Sequence, residues 1–498
     1  MATTATPFKM SRIGRHGLIY GIGVLLSKAV AFVMLPVYTH YLTPADYGLL
    51  QLIDMVLEVA SIVAGSRLGA GIFRFYHKAD TDAQRRAVLS TAMVVLVTSY
   101  GCAATAMYVF APAIAVAAFG NAANVALVRI GGMSLAFESL LLVPFAYLRL
   151  GDRSTAYVTV AGVRLCLQVA LNIAFVAYLQ LGAVGVLLST LVVNTLAGAF
   201  LTVYLVKEVG LRLSGSAARD LLRFGIPFVG TQVATFIMTF GDRYFLRLVS
   251  DASTVGLYGL AYQFGFVLAQ LGEVPFTMVW DPARYEIAKR PDRDELYARA
   301  FIYFNMVLLT IGVLITLFVG DFLRIAAAPA FWPARDLVPI ILIAYVLQSW
   351  TIMHNLGIQM RERTEFYTLA NWIGAVVALA GYMLLIPRLF GLGAALATVA
   401  SFAVREAAVY ALSQRLWRIR YRWGPVLRLL LVATVVGVAG QLVPQGRLWL
   451  SLFTRLLLLM AYLGGLWFVG GLSVDDRLAI KRLIRSPRFA LISLKERT

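Results

Sequence analysis

Apolar stretches long enough to cross a bilayer recur from residue 16 to residue 470, and every second loop between them is rich in arginine and lysine. A hydrocarbon core about 30 Å thick takes roughly 20 apolar residues in helix. The basic loops hold Lys9, Arg12 and Arg15; Arg74, Lys78, Arg85 and Arg86; Arg149 and Arg153; and Lys207, Arg212, Arg219 and Arg223. The pattern continues with Arg284, Lys289, Arg290 and Arg293, with Arg361 and Arg363, with Arg415, Arg418, Arg420 and Arg422, and with Arg477, Lys481, Arg482, Arg485 and Arg488. The alternate loops are poor, and neither Thr43 to Tyr47 nor Gln180 to Ala183 carries a cation. Cationic loops stay in the cytoplasm. The alternation therefore predicts an even number of spans, with both termini cytoplasmic and the chain multi-pass in the inner membrane.

Composition agrees. With 60% hydrophobic and 14% charged residues and a mean hydropathy of +0.80, the chain falls outside ordinary soluble domains. Its net charge of +19 would suggest nucleic acid in a soluble protein. Here the cations sit beside the membrane, where anionic headgroups attract them at about 1 kcal/mol each, so no nucleic-acid partner is expected. Cys102 and Cys166 lie in apolar spans without a CxxC or ligand cluster, which excludes a disulfide framework and a metal site. The first apolar segment is full length and lacks an A-x-A exit, so the reading keeps it as a span rather than a cleaved signal.

The predicted fold is an all-α polytopic membrane protein of about 14 helices. The first six spans cover 16–41, 45–70, 87–110, 125–148, 155–179 and 183–206, and the next six 221–247, 255–281, 299–320, 335–360, 366–387 and 391–414. Two more follow at 424–443 and 447–470, before a basic cytoplasmic tail at 472–498. The links at 71–86, 207–220 and 282–298 are long enough for short amphipathic helices and nothing larger.

A shift of about 208 residues exposes an internal repeat. It places Arg15-x-Gly17 on Arg223-x-Gly225 and Gly48-Leu49 on Gly256-Leu257. Arg153-Ser154-x-x-Tyr157 then falls on Arg363-Thr364-x-x-Tyr367, and Leu181-Gly182-Ala183 on Leu392-Gly393-Ala394 after a small slip. The expected organisation is an N-terminal six-helix lobe at 1–207, a C-terminal six-helix lobe at 208–415, and two additional helices at 416–471. Parallel repeats of this kind suit alternating access, with substrate between the halves; a duplicated scaffold without transport is the plainer alternative.

Ionisable groups within spans are costly and usually meet a partner or a wet cavity. Lys28 lies near the middle of the first span. Asp54 and Glu58 stand one turn apart on the second, with Ser61 and Gly65 continuing the face and Arg67 close enough to the basic end to snorkel. Glu138 lies in the fourth span. Arg164, Gln168 and Asn172 make a polar stripe at i, i+4 and i+8 on the fifth. In the second half the candidates are Glu273, His354 and the pair Arg405–Glu406. In the turn after the first span, Pro44 suits a first helical turn with Thr43 as N-cap and Asp46 near the helix N-terminus, while Gly48 permits close helix approach. A structural role fits this turn better than substrate contact.

These motifs resemble the multidrug/oligosaccharidyl-lipid/polysaccharide (MOP) exporter superfamily, and within it the polysaccharide transporters similar to O-antigen flippases. The resemblance covers the whole chain. It rests on Ser11-x-x-x-Arg15-x-Gly17, on Leu42-Thr43-Pro44-x-Asp46-Tyr47-Gly48, on Arg153-x-x-x-Tyr157, and on Leu181-Gly182-Ala183. It implies two six-helix lobes in a V shape that carry an undecaprenyl-diphosphate-linked glycan between leaflets of a bacterial inner membrane. Membrane lipids, a polysaccharide polymerase and chain-length machinery are the implied partners. Related lipid II flippases use two extra helices as part of a groove for the lipid tail, a role open to spans 13 and 14. Against such a substrate, Lys28 and Arg164 are the diphosphate candidates, because arginine offers phosphate a planar donor set and lysine a compact charge. Structural pairs, Lys28 with Glu58 or Arg164 with Glu138, are the alternative. A buried carboxylate can also carry a proton during transport, and Glu58 and Glu138 are placed for it.

Two other functions remain open. A drug or metabolite antiporter of the same superfamily would explain the repeat but usually needs only twelve spans. A polytopic glycan polymerase, ligase or glycosyltransferase would need a large outer loop, and the outer loops here are short. The chain carries no Gly-rich nucleotide loop, metal cluster or hydrolytic triad, so neither enzymatic activity nor a cofactor is expected.

Overall fold

The computed structural model describes residues 34–65, 68–151, 153–444 and 446–469. Lys28, Arg15, Gly17, Arg67, most of the first predicted span and the tail at 472–498 lie outside them. Among the described residues the regular structure is helical throughout, with sixteen α-helices between Pro44 and Val469. In order they are α1 (Pro44–Ala64), α2 (Leu68–Lys78), α3 (Asp82–Val109), α4 (Ala111–Phe119), α5 (Val125–Leu150), α6 (Ser154–Asn172), α7 (Gly182–Val209) and α8 (Gly215–Val249). There follow α9 (Ala252–Leu268), α10 (Val274–Ile287), α11 (Arg293–Ala326), α12 (Val338–His354), α13 (Leu356–Met360), α14 (Thr364–Leu416), α15 (Trp423–Leu442) and α16 (Leu448–Val469). Short π segments at Ile173–Tyr178 and Ala269–Glu273 extend α6 and join α9 to α10.

Among the described residues, 12 helical stretches are long and apolar enough to cross a membrane. They coincide with the predicted spans from the second onward, with one merger. Thr364–Leu416 holds both the eleventh and twelfth spans, broken at Phe390, whose φ of 48° is not helical. Pro387 just before it removes a backbone donor and favours the kink. The second predicted span is shorter than 45–70: α1 stops at Ala64 because Gly65 turns left-handed at φ 93°. The separate helix α2 then occupies the start of the basic link.

The chain divides into two compact units. Among the described residues, one contains 34–267 and Phe322–Arg418, and the other contains Leu268–Asp321 and 419–469.

Within the larger unit, positions about 208 apart meet at a helix crossing. A Cβ on Gly48 of α1 would lie 1.8 Å from the Ala252 carbonyl oxygen, and one on Gly256 of α9 would lie 2.0 Å from that of Pro44. The two backbones touch, and only glycine fits at either point. The helix caps beside the crossing are reciprocal too. Asp46 N–H donates to Thr43 Oγ1 at 3.1 Å, while Thr43 Oγ1 donates to Asp46 Oδ2 at 2.7 Å. At the start of α9 the acid stands first: Asp251 Oδ1 accepts from Thr254 N–H at 2.9 Å and from its hydroxyl at 2.7 Å. Those bonds hold the Asp251 carboxyl below the usual carboxylate range. An apolar cluster also recurs. Leu148, Tyr157, Val160, Ala197 and Leu201 pack together, as do Ile358, Tyr367, Ala370, Ala408 and Leu412 about 210 residues further on.

The smaller unit holds α10, α11, α15 and α16. Its core contains an ion pair between Arg455 of α16 and Asp321 of α11 at 2.9 Å, both almost fully buried. Ser451 Oγ donates to the same carboxylate at 3.0 Å, and Arg455 Nη1 donates to the Leu317 carbonyl at 2.6 Å. A buried charge is retained only when paired and hydrogen-bonded, so α16 is fixed to α11 in register. Glu273 lies in this unit, half-buried in the π segment.

Candidate functional site: a charged cleft in the first half

The polar stripe of α6 faces α7 as a ladder. Arg164 Nη2 donates to Asn194 Oδ1 at 2.9 Å, and Gln168 Nε2 donates to Ser189 Oγ at 2.8 Å. Asn172 Nδ2 donates to Tyr38 Oη at 2.8 Å and accepts from Ser189. Asn194 in turn donates to Ser134 Oγ of α5 at 3.2 Å. Ser154 and Asn172 are the buried residues of α6, so most of this helix is open on its flank. Among the described residues Arg164 forms no ion pair with Glu138 within 4 Å, and its buried Nε has no hydrogen-bond partner.

Three carboxylates share this region. Asp54 and Glu58 of α1 act on each other electrostatically, Glu58 acts on Glu138 of α5, and Glu138 acts on Arg164. Asp54 is exposed, and Arg243 acts on it electrostatically. Glu138 is exposed as well, and Glu58 half-buried. Tyr38 acts on Asp54, and Tyr100 of α3, which bonds Ser61 at 3.1 Å, acts on Glu58 and Glu138. Ionisable groups inside a span usually meet a partner or a wet cavity, and these groups act on one another. Asp54, Glu58, Glu138 and Arg164 are thus brought together.

The second-half candidates lie elsewhere. His354 of α12 is buried and bonds Glu406 of α14 through Nδ1, with the Tyr410 ring 5.0 Å away. Arg405 is buried at 4% exposure, bonds Thr351 Oγ1 at 3.2 Å and lies over the Phe402 ring. These three residues sit in the packed seam between α12 and α14.

Of the remaining motif residues, Pro44, Asp46 and Gly182 gather at the turn after residue 41, and Tyr157 lies apart from it. A Cβ on Gly182, where φ is 56°, would lie 3.6 Å from Asp46 Oδ1, so the Leu181-Gly182-Ala183 motif packs against the Thr43–Asp46 cap. Pro44 occupies the first turn of α1. Tyr157 packs edge-on against Phe145 at 5.3 Å, in the cluster beneath Arg153, which pairs with Glu208 at 3.2 Å.

One buried constellation escaped the sequence reading. Arg243 of α8 pairs with Asp242 at 3.0 Å, donates to Gln51 Oε1 of α1 at 3.1 Å, and lies 4.4 Å from the Tyr262 ring. Asp242 accepts from the Tyr258 hydroxyl, and Arg243 acts electrostatically on Asp54. The signal was an adjacent acid and base inside the predicted span 221–247. Their position near its end disguised them as boundary residues.

The helical array is that of a polytopic membrane protein. It superposes on a lipid II flippase, MurJ, in an inward closed conformation, with a TM-score of 0.71 at 12% identity, over 89% of this chain and 98% of that one. It also superposes on an inward-facing multidrug resistance MATE family transporter of the MOP superfamily, with a TM-score of 0.56 at 15% identity, over 78% and 94% of the two chains. A MOP superfamily transporter from Pyrococcus furiosus gives 0.52 at 16% identity, over 81% and 95%. No curated protein matches by sequence. Residues 13–287, more than half of the chain, match the family described as polysaccharide biosynthesis protein, and the chain belongs to that family.

Proposed function

We propose that the protein is a flippase that moves an undecaprenyl-diphosphate-linked oligosaccharide from the cytoplasmic to the periplasmic leaflet of a bacterial inner membrane, for O-antigen, capsule or exopolysaccharide synthesis. The observation that carries this reading is Arg164, a half-buried guanidinium held by Asn194 and acting electrostatically on Glu138. Such a donor set suits a diphosphate, and Lys28 is the second cation assigned to it. Asp54, Glu58 and Glu138 then serve as acceptors for sugar hydroxyls. Halves at 1–207 and 208–415 supply the alternating motion, and the two helices of 416–471 carry the polyprenyl tail.

The cleft also favours a second reading. Among the described residues it holds three carboxylates to one Arg164, which suits a cationic solute exchanged for protons or another ion. Deletion of the gene separates the two readings. Lipid-linked glycan flipping predicts completed lipid-linked units retained in the inner leaflet and loss of the outer polymer. Normal delivery to the outer leaflet, in a strain with no second flippase, refutes it, and a gain of drug sensitivity there selects the antiporter.

A further inference from the structure

We infer that the facing middles of α1 and α8 form a slot for a sugar ring of the carried glycan, with carboxylates on one wall and two phenyl rings on the other. This deepens the flippase reading above and rests on it. The slot follows from how the two helices meet. Arg243 of α8 donates to Gln51 of α1 at 3.1 Å. Further along α1, Ile62 shares a cavity of about 130 Å³ with Gln232, which precedes Arg243 on α8. The helices therefore run antiparallel, and Gln51 to Ile62 is as many residues as Gln232 to Arg243. Both are unbroken over these stretches, so an equal rise per residue sets the positions between the two contacts level. Glu58 stands level with Phe236, and Asp54 with Phe240.

The faces agree as well as the levels. Gln51, Asp54, Glu58 and Ile62 follow at helical spacing along one side of α1, as do Gln232, Phe236, Phe240 and Arg243 along α8. The ends are closed, with Gln51 and Ile62 buried. Between them Asp54 is exposed, and Glu58, Phe236 and Phe240 are half-buried.

Phe236 and Phe240 lie stacked, with centroids 5.8 Å apart and planes 17° from parallel. They offer a flat apolar surface opposite two acceptor groups. A sugar ring has the matching division. Its C–H face packs on the electron-rich face of an aromatic ring, and its hydroxyls donate to carboxylates, which are acceptors only when ionised. An organic cation is also drawn to rings and carboxylates. Here the Arg243 guanidinium lies over Phe240, 5.1 Å from its centroid, and acts electrostatically on Asp54. The place of a cation is thus taken from within the chain, which leaves an uncharged ring as the better occupant. With the diphosphate assigned to Arg164, the slot reads the glycan and not its carrier.

The test uses the purified full chain in detergent and two probes: a short-chain polyprenyl diphosphate bearing a neutral oligosaccharide, and the same carrier without sugar. The wild type should bind the sugar-bearing probe at least about ten-fold more tightly. Phe236→Leu keeps apolar bulk and removes the ring. It should abolish the preference while the affinity for the bare carrier and the melting temperature stay unchanged, and Phe236→Trp should restore it. Arg164→Ala should instead weaken both probes alike. If Phe236→Leu does not fold, Phe236→Met asks the same question.

Equal affinity of the wild type for the two probes, or a Phe236→Leu variant that keeps the preference, overturns the slot and leaves the flippase reading standing. Binding of neither probe refutes the flippase reading, and the slot with it. Tetraphenylphosphonium that binds more tightly than the sugar-bearing probe, and is lost with Phe236→Leu, gives the slot to an organic cation and overturns the proposal.

Discussion

The two halves of the larger unit share a scaffold and differ in where they keep their polar groups. Around Tyr157 and around Tyr367 the same apolar cluster is built from corresponding positions. In the first half, polar side chains above that cluster reach solvent: Glu138 is exposed, and Arg164 reaches the cleft from its bond to Asn194. In the second half, Arg405, which falls about 211 residues after Asn194, is buried with Glu406 and His354. Duplication conserved packing while the polar content diverged. The first half leaves Glu138 exposed, and in the second Arg405, Glu406 and His354 lie buried in the seam that holds α12 to α14.

This division predicts opposite mutational phenotypes. The largest effect is expected at Glu406→Ala, which leaves Arg405 and His354 buried beside the lost carboxylate. Breaking such a group costs about 3–5 kcal/mol, so membrane abundance and the melting temperature in detergent should collapse. Folded protein at wild-type levels would show that the second-half charges are as adaptable as the first.

Next comes Arg164→Ala, expected to lower glycan translocation at least about ten-fold, equivalent to about 1.4 kcal/mol, with abundance nearly unchanged. Arg164→Lys should recover part of the activity if charge matters more than the planar donor set. A parallel fall in abundance would place Arg164 with the structural charges.

The smallest effects are expected at the reciprocal caps. Thr43→Ala and Asp251→Ala should each cost about 1 kcal/mol, read as similar small shifts in melting temperature. The Asp251 contribution has a sign set by its lowered pKa. It is present above the unfolded value near 3.9 and is lost as pH falls through the lower folded value. A difference between the two caps at neutral pH would mean that the crossing is loaded unequally.

Much of this was legible in the residues. Span positions followed from apolar length and basic loops because the bilayer imposes both. Gly48 and Gly256 were visible as a repeated pair, although their direct contact was not, since periodicity places residues on faces without saying which faces meet. The stripe Arg164–Gln168–Asn172 was readable as polar, but its partners Asn194, Ser189 and Tyr38 come from other helices. Two buried pairs went unread for related reasons. Asp242–Arg243 looked like the end of a span, and Asp321 fell one residue beyond a predicted boundary. Arg455 stood inside an apolar span, where a lone cation calls for a buried carboxylate. Finding that carboxylate takes the packing of α16 on α11.

Reconstitution tests the central claim most directly. Purified protein in liposomes, loaded with a polyprenyl-diphosphate glycan in one leaflet, should expose the sugar to an impermeant oxidant or lectin on the other side. The same amount of folded Arg164→Ala should expose it at least about ten-fold more slowly. Equal rates for the wild type, the variant and protein-free liposomes would contradict the account.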